Sequence, residues 1–137
     1  MKKIFIGLLF LMIATACGKN QDNIIPYVPV NFNSPRANPA LLKLQSPGGA
    51  VVITGYGFAG LILYNNGGQI VAYDRCSTVN PEKKCPLDLD NPTISVTDPC
   101  SGAKFLLSDG SAGRAPAQYP LRRYQVIVTS NNISVIN

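Results

Sequence analysis

The chain has 137 residues, 46% hydrophobic and 14% charged, enough for one modest core and too few for two full domains. Its formal net charge of +5 falls to +3 without Lys2 and Lys3, and the other basic residues are scattered along the chain, so a nucleic-acid-binding protein is not expected. The sequence contains no histidine, which excludes hydrolases that use one as general base.

Residues 1–16 have the pattern of a lipoprotein signal peptide. Lys2 and Lys3 form a positive start, residues 4–13 an apolar run, and residues 14–16 the small residues that precede cleavage before Cys17. The apolar run is shorter than the roughly 20 residues that span a bilayer, so cleavage is favoured over a permanent membrane helix. The alternative is an ordinary secretory signal followed by an unmodified cysteine.

Cys17 is the predicted lipidation site, and residues 17–23 are the predicted tether. More than one acyl chain on Cys17 would attach the mature protein stably to a membrane, which makes lipid its expected partner. Gly18 and Lys19 place no acidic residue after the cysteine. We therefore expect a location on the outer membrane of a cell envelope, on a face that the sequence does not indicate. An unidentified envelope protein is the other expected partner.

Residues 24–137 are predicted to form one all-β domain, a small stack of antiparallel sheets. Prolines and asparagines interrupt residues 24–32, which favours an extended edge strand. Four residues, 65–68, predict a hairpin turn, and residues 129–131 predict a closing hairpin. No long window keeps apolar residues at helical spacing. The predicted strands after the edge strand are 50–54, 60–64, 69–73, 93–97, 104–107, 123–128 and 132–136.

The second half of the chain resembles a Rieske iron–sulfur domain. In that family a Cys-Pro-Cys-His-Gly loop is followed by a small residue, a basic residue, Phe, an Asp-Gly turn and a Pro-Leu-x-x-Tyr-x-Val strand. A similar strand-to-loop segment, residues 70–78, precedes it here, and the resemblance covers residues 51–137. The residues at the family's spacing are Phe105, Gly110, Pro116, Ala117, Pro120, Leu121, Tyr124 and Val126.

The resemblance also locates the positions of the four cluster ligands. A Rieske [2Fe–2S] cluster needs two thiolates and two neutral imidazoles. Cys76 stands at the first thiolate position, whereas Thr78, Asp98 and Ser101 stand where the first histidine, the second cysteine and the second histidine are expected. One ligand in four is retained. The resemblance therefore implies a degenerate Rieske-like domain for which no cofactor and no metal are expected.

Two further cysteines of the family often join the ligand loops by a disulfide, and Cys85 and Cys100 match those positions. The resemblance thus implies a Cys85–Cys100 bond. Cys76 is left either as a buried small hydrophobic residue or as a reactive thiol, and the absence of a nearby histidine favours burial. A zinc site made of the three cysteines and Asp98 is a further alternative, which an oxidising compartment disfavours.

Two functions follow from this reading. The favoured one is a membrane-anchored Rieske-like lipoprotein that has lost the iron–sulfur cluster and serves as a binding or structural module of the envelope. It is not an enzyme and has no catalytic residues. The alternative is a Rieske-type [2Fe–2S] electron-transfer subunit of an envelope oxidoreductase, with a ligand set that the family pattern does not reveal.

Overall fold

A computed structural model describes residues 24–137, and the predicted signal peptide, Cys17 and the tether lie outside the described residues. Two antiparallel sheets make up the domain, which confirms the all-β prediction. Among residues 24–137, no helix is both long and apolar enough to cross a membrane. The strands are β1 (Asn31–Pro35), β2 (Ala50–Ile53), β3 (Leu61–Asn66), β4 (Gln69–Asp74), β5 (Asp88–Leu89), β6 (Ser95–Thr97), β7 (Lys104–Leu106), β8 (Ala112–Arg114), β9 (Arg123–Val128) and β10 (Asn132–Ile136).

The larger sheet has six strands in the order β1-β10-β9-β4-β3-β2, and the smaller has four in the order β5-β6-β7-β8. The predicted hairpins are both present: β3 and β4 are joined through Gly67 and Gly68, and β9 and β10 pair from Val128 with Ile133 onward. The first turn has two residues rather than the predicted four, because Asn66 still pairs with Gln69. Gly67 and Gly68 supply the positive φ angles of 63° and 102° that a two-residue turn needs.

The centre of the larger sheet is buried on both faces. Leu61 and Leu63 of β3 point into a core formed with the first strand and the closing hairpin. Ile62 and Tyr64, which alternate with them, point into a second core shared with the smaller sheet. Strand β3 therefore reads as a continuous apolar run, as expected of a strand covered on both sides.

The structure differs from the sequence predictions at four further elements, one of them misplaced and three not predicted. The edge strand is β1, Asn31–Pro35, so the predicted strand over residues 24–32 was placed too early; its prolines leave residues 26–30 without strand pairing. A 3₁₀ helix, Pro39–Gln45, was not predicted; the Asn38 side chain accepts a hydrogen bond from the amide of Ala40 and caps it. Strands β5 and β8 were missed because they have only two and three residues.

Candidate functional site

Two loops meet where the two sheets approach each other. The first loop, residues 75–87, follows β4 of the larger sheet and contains a short 3₁₀ turn, Pro81–Lys83. The second, residues 98–103, connects β6 and β7 of the smaller sheet. The disulfide between Cys85 and Cys100 joins the loops, as predicted, with a Cα–Cα distance of 6.4 Å. The positions that the Rieske resemblance assigned to cluster ligands therefore lie on crosslinked loops.

Cys76 is the free cysteine among residues 24–137, and it is fully buried. Its amide donates to Asp74 Oδ1 at 2.9 Å, and its thiol donates to the carbonyl of Ser77 at 3.3 Å. Burial and, to a lesser degree, the nearby carboxylates of Asp74 and Asp98 together raise the pKa of the thiol to about 12. Cys76 is therefore a protonated, buried thiol at neutral pH, as the favoured alternative predicted.

Asp98 is fully buried, and its carboxylate collects donors from both loops. The hydroxyls of Ser77 and Ser101 each donate to Oδ2 at 2.6 Å. The amides of Cys100 and Ser101 donate to Oδ1 at 2.8 and 3.3 Å. Burial alone would raise the pKa of Asp98, but the two hydroxyls and two amides together hold it below its ordinary value. Asp98 is therefore an ionised carboxylate that binds the first loop to the second.

The two positions expected for histidines carry hydroxyls with partners inside the protein. Thr78 donates to the carbonyl of Tyr119 at 2.8 Å, in the proline-containing segment that precedes β9. Ser101, as described above, donates to Asp98. Among the described residues, every buried side-chain nitrogen and oxygen has a hydrogen-bond partner. Thr78 thus ties the first loop to the segment before β9, whereas the hydrogen bond of Ser101 lies within the second loop.

A conventional Rieske cluster does not fit these residues. It needs two thiolates on one iron and two imidazoles on the other, and the four positions supply one thiol, one carboxylate and two hydroxyls. Hydroxyls are poor ligands for the iron that imidazoles would hold. The carboxylate oxygens of Asp98 already accept four hydrogen bonds, so metal binding there would have to displace all or part of this network.

The zinc alternative can also be located. The ligand atoms of Cys85, Asp98 and Cys100 lie within 4.8 Å of one another. Two of these atoms are the sulfurs of the disulfide, so they offer no thiolate unless that bond is reduced. Cys76 is in the first loop as well, but its thiol points to backbone carbonyls of Ser77 and Pro81.

A second buried carboxylate was not singled out from the sequence. Asp74, at the end of β4, accepts from the amides of Phe58 and Ala59 at 2.6 and 3.1 Å, and from the hydroxyl of Tyr124 at 2.7 Å. Burial raises the pKa of Tyr124, and its bond to Asp74 adds to the effect. Asp74 thereby fixes the loop between β2 and β3 against the start of the first ligand loop. Of the two residues in the Asp74–Tyr124 hydrogen bond, the sequence singled out Tyr124, because it lies in the Pro-Leu-x-x-Tyr-x-Val segment of the Rieske resemblance.

A small cleft opens beside the loops. Its volume is about 230 Å³, below the range of about 300 to 1,000 Å³ that is usual for small-molecule sites. The cleft is lined by Thr78, Val79, Asn80, Pro116, Gln118 and Tyr119.

Comparison with known proteins gives the fold its name. No family model and no curated protein matches the sequence. A Rieske protein of the plasma membrane from the cyanobacterium Synechocystis PCC 6803 is similar with a TM-score of 0.57 and 24% identity, over 81% of this chain and 100% of that one. A ferredoxin from Sphingomonas yanoikuyae B1 is similar with a TM-score of 0.51 and 19% identity, over 69% and 93%.

The ferredoxin of carbazole 1,9a-dioxygenase from Nocardioides aromaticivorans IC177 is also similar, with a TM-score of 0.50 and 18% identity over 66% of this chain and 86% of that one. At these identities the likeness concerns the fold. The chain therefore contains a Rieske-like domain, as the residue pattern predicted.

Proposed function

We propose that the chain is a membrane-anchored Rieske-like lipoprotein without an iron–sulfur cluster, acting as a non-catalytic binding or structural module of the cell envelope. One observation carries the proposal. The Asp98 carboxylate of the second loop accepts a hydrogen bond from the Ser77 hydroxyl of the first loop, so this bond joins the two loops that a cluster would join in the family pattern.

The chemistry of the remaining positions supports the loss of the cluster. The sequence has no histidine, so this chain cannot supply either imidazole ligand. The Cys85–Cys100 disulfide closes a separation of 15 residues, a constraint worth about 3 kcal/mol in the chain-entropy model. The loops can therefore remain ordered without a metal.

The membrane attachment rests on the sequence. Residues 1–16 have the order of a lipoprotein signal peptide, and Cys17 takes the first mature position. At about 0.8 kcal/mol for each buried methylene, two or three acyl chains give stable anchoring. Attachment to the outer membrane and a protein partner in the envelope are parts of the same proposal.

A second candidate function is electron transfer by an iron–sulfur cluster. Two of the similar structures are ferredoxins, which favours it. In this chain such a cluster would need other ligands than the family's. The three cysteines and Asp98 are the available set, and using them requires reduction of the Cys85–Cys100 bond.

The test is expression of the full chain in a bacterium under anaerobic conditions with iron supplied, followed by purification from the membrane fraction. A Rieske-type ferredoxin expressed under the same conditions controls for cluster assembly. Mass spectrometry of the peptide that contains Cys17 reports acylation. Metal analysis, and a thiol count on the unfolded protein before and after reduction, report the state of the loops.

The proposal predicts an acylated Cys17, no bound iron and one free thiol, that of Cys76, rising to three after reduction. Stoichiometric iron in this chain, together with three free thiols before reduction, would contradict the loss of the cluster and establish the second candidate. An unmodified Cys17 with the chain in the soluble fraction would contradict the anchor alone.

A further inference from the structure

One end of the larger sheet carries aromatic and basic side chains together. The loop between β2 and β3, the first ligand loop and the start of β9 all reach this end, because Leu61 pairs with Asp74 and Tyr73 pairs with Arg123. We call this surface the aromatic–basic face. It consists of Tyr27, Tyr56, Phe58, Lys84 and Arg122.

Two of these aromatic residues, both tyrosines, are exposed to solvent. Tyr27 is 66% exposed and Tyr56 is 37% exposed, although Tyr56 packs edge-on against Phe32 at 5.2 Å. Phe58 is half-buried, and the ammonium of Lys84 lies 4.4 Å from its ring centroid. The face therefore presents phenol hydroxyls and aromatic ring edges to solvent or to a binding partner.

Arg122 holds the start of the described chain on this face. Its guanidinium donates to the carbonyl of Ile25 at 2.8 Å and lies 5.5 Å from the ring centroid of Tyr27. Ile25 itself is buried, with 2% of its surface exposed. The path of the chain toward its N-terminus is thus fixed at the face as far as Ile25.

The charges that face outward here are mostly positive. Lys83 and Lys84 are exposed on the first ligand loop, with Glu82 beside them as the opposing charge. Asp74 is fully buried under the face and its carboxylate accepts hydrogen bonds from the protein, so it offers no charge directly to solvent. Arg75 is neutralised by its ion pair with Asp88 at 3.4 Å. The positive charge of this surface is complementary to an anionic partner, and its exposed tyrosines are complementary to a partner that also offers apolar groups.

The length of the tether places a membrane within reach of the face. Ile24 follows Cys17 by seven residues, which span at most about 25 Å when fully extended. This step rests on the proposed function, since it takes Cys17 as acylated and embedded in a bilayer. The described chain begins at Ile24, close to the exposed Tyr27 of the face, so an embedded Cys17 would keep the face within about 25 Å of the bilayer.

We propose that the aromatic–basic face rests on the surface of a bilayer that contains anionic phospholipids, which gives the anchored domain one orientation. Tyrosine favours the membrane–water interface because its ring is apolar and its hydroxyl is polar. A Lys or Arg near an anionic surface strengthens binding about fivefold, equivalent to about 1 kcal/mol each. With this face on the lipid, the smaller sheet remains free for a protein partner.

The test uses single tryptophans, because the chain contains none. Tyr27→Trp places the reporter on the face. Ile94→Trp places a matched reporter on the smaller sheet, at a position that is 58% exposed. The mature chain from Gly18 carries a histidine tag in place of residues 1–17 and is tethered to vesicles by a nickel-chelating lipid. The vesicles contain brominated phosphatidylcholine with or without 30% phosphatidylglycerol, and bromine quenches a tryptophan only at short range.

We expect strong quenching at position 27 and little at position 94, with quenching at position 27 increased by phosphatidylglycerol. Lys83→Gln with Lys84→Gln should lower the ratio of docked to undocked chain about 25-fold, from two contributions of about fivefold. Arg36→Gln with Lys43→Gln removes the same charge from exposed residues elsewhere and should leave the ratio unchanged.

Equal quenching at both positions, or none at position 27, would overturn the proposal, as would an equal effect of the two charge variants. Since the tag replaces the acyl group, these outcomes do not depend on lipidation. An unmodified Cys17 in the native chain, found by mass spectrometry, would instead refute the anchor in the proposed function and leave the measured affinity of the face standing.

Discussion

Asp98 is the residue on which the two loops depend most directly. A buried carboxylate with no partner would be protonated or would destabilise the fold, but this one accepts two hydroxyl and two amide donors. A hydrogen bond to a charged group contributes about 1.5 to 3 kcal/mol. The network is therefore large enough to matter against a typical total stability of about 5 to 15 kcal/mol.

Replacement of Asp98 by asparagine should lower the free energy of unfolding by about 2 kcal/mol at pH 7, because the charge that strengthens the two serine hydrogen bonds is lost. Urea denaturation measures the change. Asp88→Asn, which removes an exposed carboxylate with a single surface ion pair, is the control and should cost less than about 1 kcal/mol.

The same variant should change the response to acid. The hydrogen bonds hold the pKa of folded Asp98 below its ordinary value of about 3.9, so its stabilising effect is complete above that pH and is lost as pH falls through the lowered pKa. The difference in stability between wild type and Asp98→Asn should therefore shrink below pH 4. A difference that stays constant down to pH 2 would show that folding does not lower the pKa of Asp98.

The thiol of Cys76 provides a second test at the residue scale. Since burial raises its pKa to about 12, almost no thiolate exists below pH 9. Native protein should react with a disulfide reagent about 100-fold more slowly than unfolded protein at the same pH, and the rate should rise as urea increases the unfolded fraction. Fast reaction of the folded protein, rising tenfold for each pH unit, would contradict this placement.

At the scale of elements, apolar runs and turn residues predicted β2, β3, β4, β9 and β10 closely. Alternation and β-branched residues decide where such strands form, and both are local features of the sequence. Strands β5 and β8 escaped prediction because two or three residues carry no periodic signal, although each pairs with a strand close to it in sequence. The 3₁₀ helix was missed because its cap is a single asparagine among many in that segment.

Gly110 shows how one turn is fixed by its neighbours. Its φ is +79°, and a Cβ added there would lie 2.7 Å from Cε1 of Tyr73. Gly110→Ala should therefore destabilise by about 2 to 4 kcal/mol, from backbone strain and from displacement of the buried ring. Gly67→Ala has a similar positive φ of +63° but open space around it, and should cost about 1 to 2 kcal/mol. Equal costs in thermal or urea unfolding would exclude the contact with Tyr73.

The disulfide links the two loops covalently. Replacement of Cys85 by alanine together with Cys100 by serine should lower the free energy of unfolding by about 3 kcal/mol, because the unfolded chain regains the freedom of a 15-residue loop. Reduction of the wild type by dithiothreitol should give a similar loss. If neither treatment changes the urea midpoint, the bond does not constrain the unfolded chain as described.

At the scale of the whole molecule, strands β3 and β4 form a wall shared by two cores. One core lies with the edge strand and closing hairpin, the other with the smaller sheet that carries the second ligand loop. This arrangement brings residues 20 or more positions apart, such as Ser77 and Asp98, into one network. The Rieske-like fold thus keeps its loops together by packing, a disulfide and hydrogen bonds.

The resemblance to the Rieske family located part of the site: it assigned the four ligand positions and implied the disulfide pair that the structure contains. It did not predict that Ser77 joins Asp98, nor that Thr78 binds the carbonyl of Tyr119. Those contacts depend on the direction of side chains across two sheets, which local sequence does not determine. The buried carboxylate of Asp74 was missed for the same reason.

In the proposed function, the Ser77–Asp98 hydrogen bond and the Cys85–Cys100 disulfide, rather than a cluster, join the two loops. The most direct measurement is anaerobic reconstitution of the purified chain with ferrous iron, sulfide and dithiothreitol, read by visible absorption and by electron paramagnetic resonance after reduction with dithionite. A Rieske-type ferredoxin stripped of its cluster serves as the positive control. We predict a colourless, resonance-silent product after desalting, whereas a reducible visible spectrum with two irons per chain would contradict the claim.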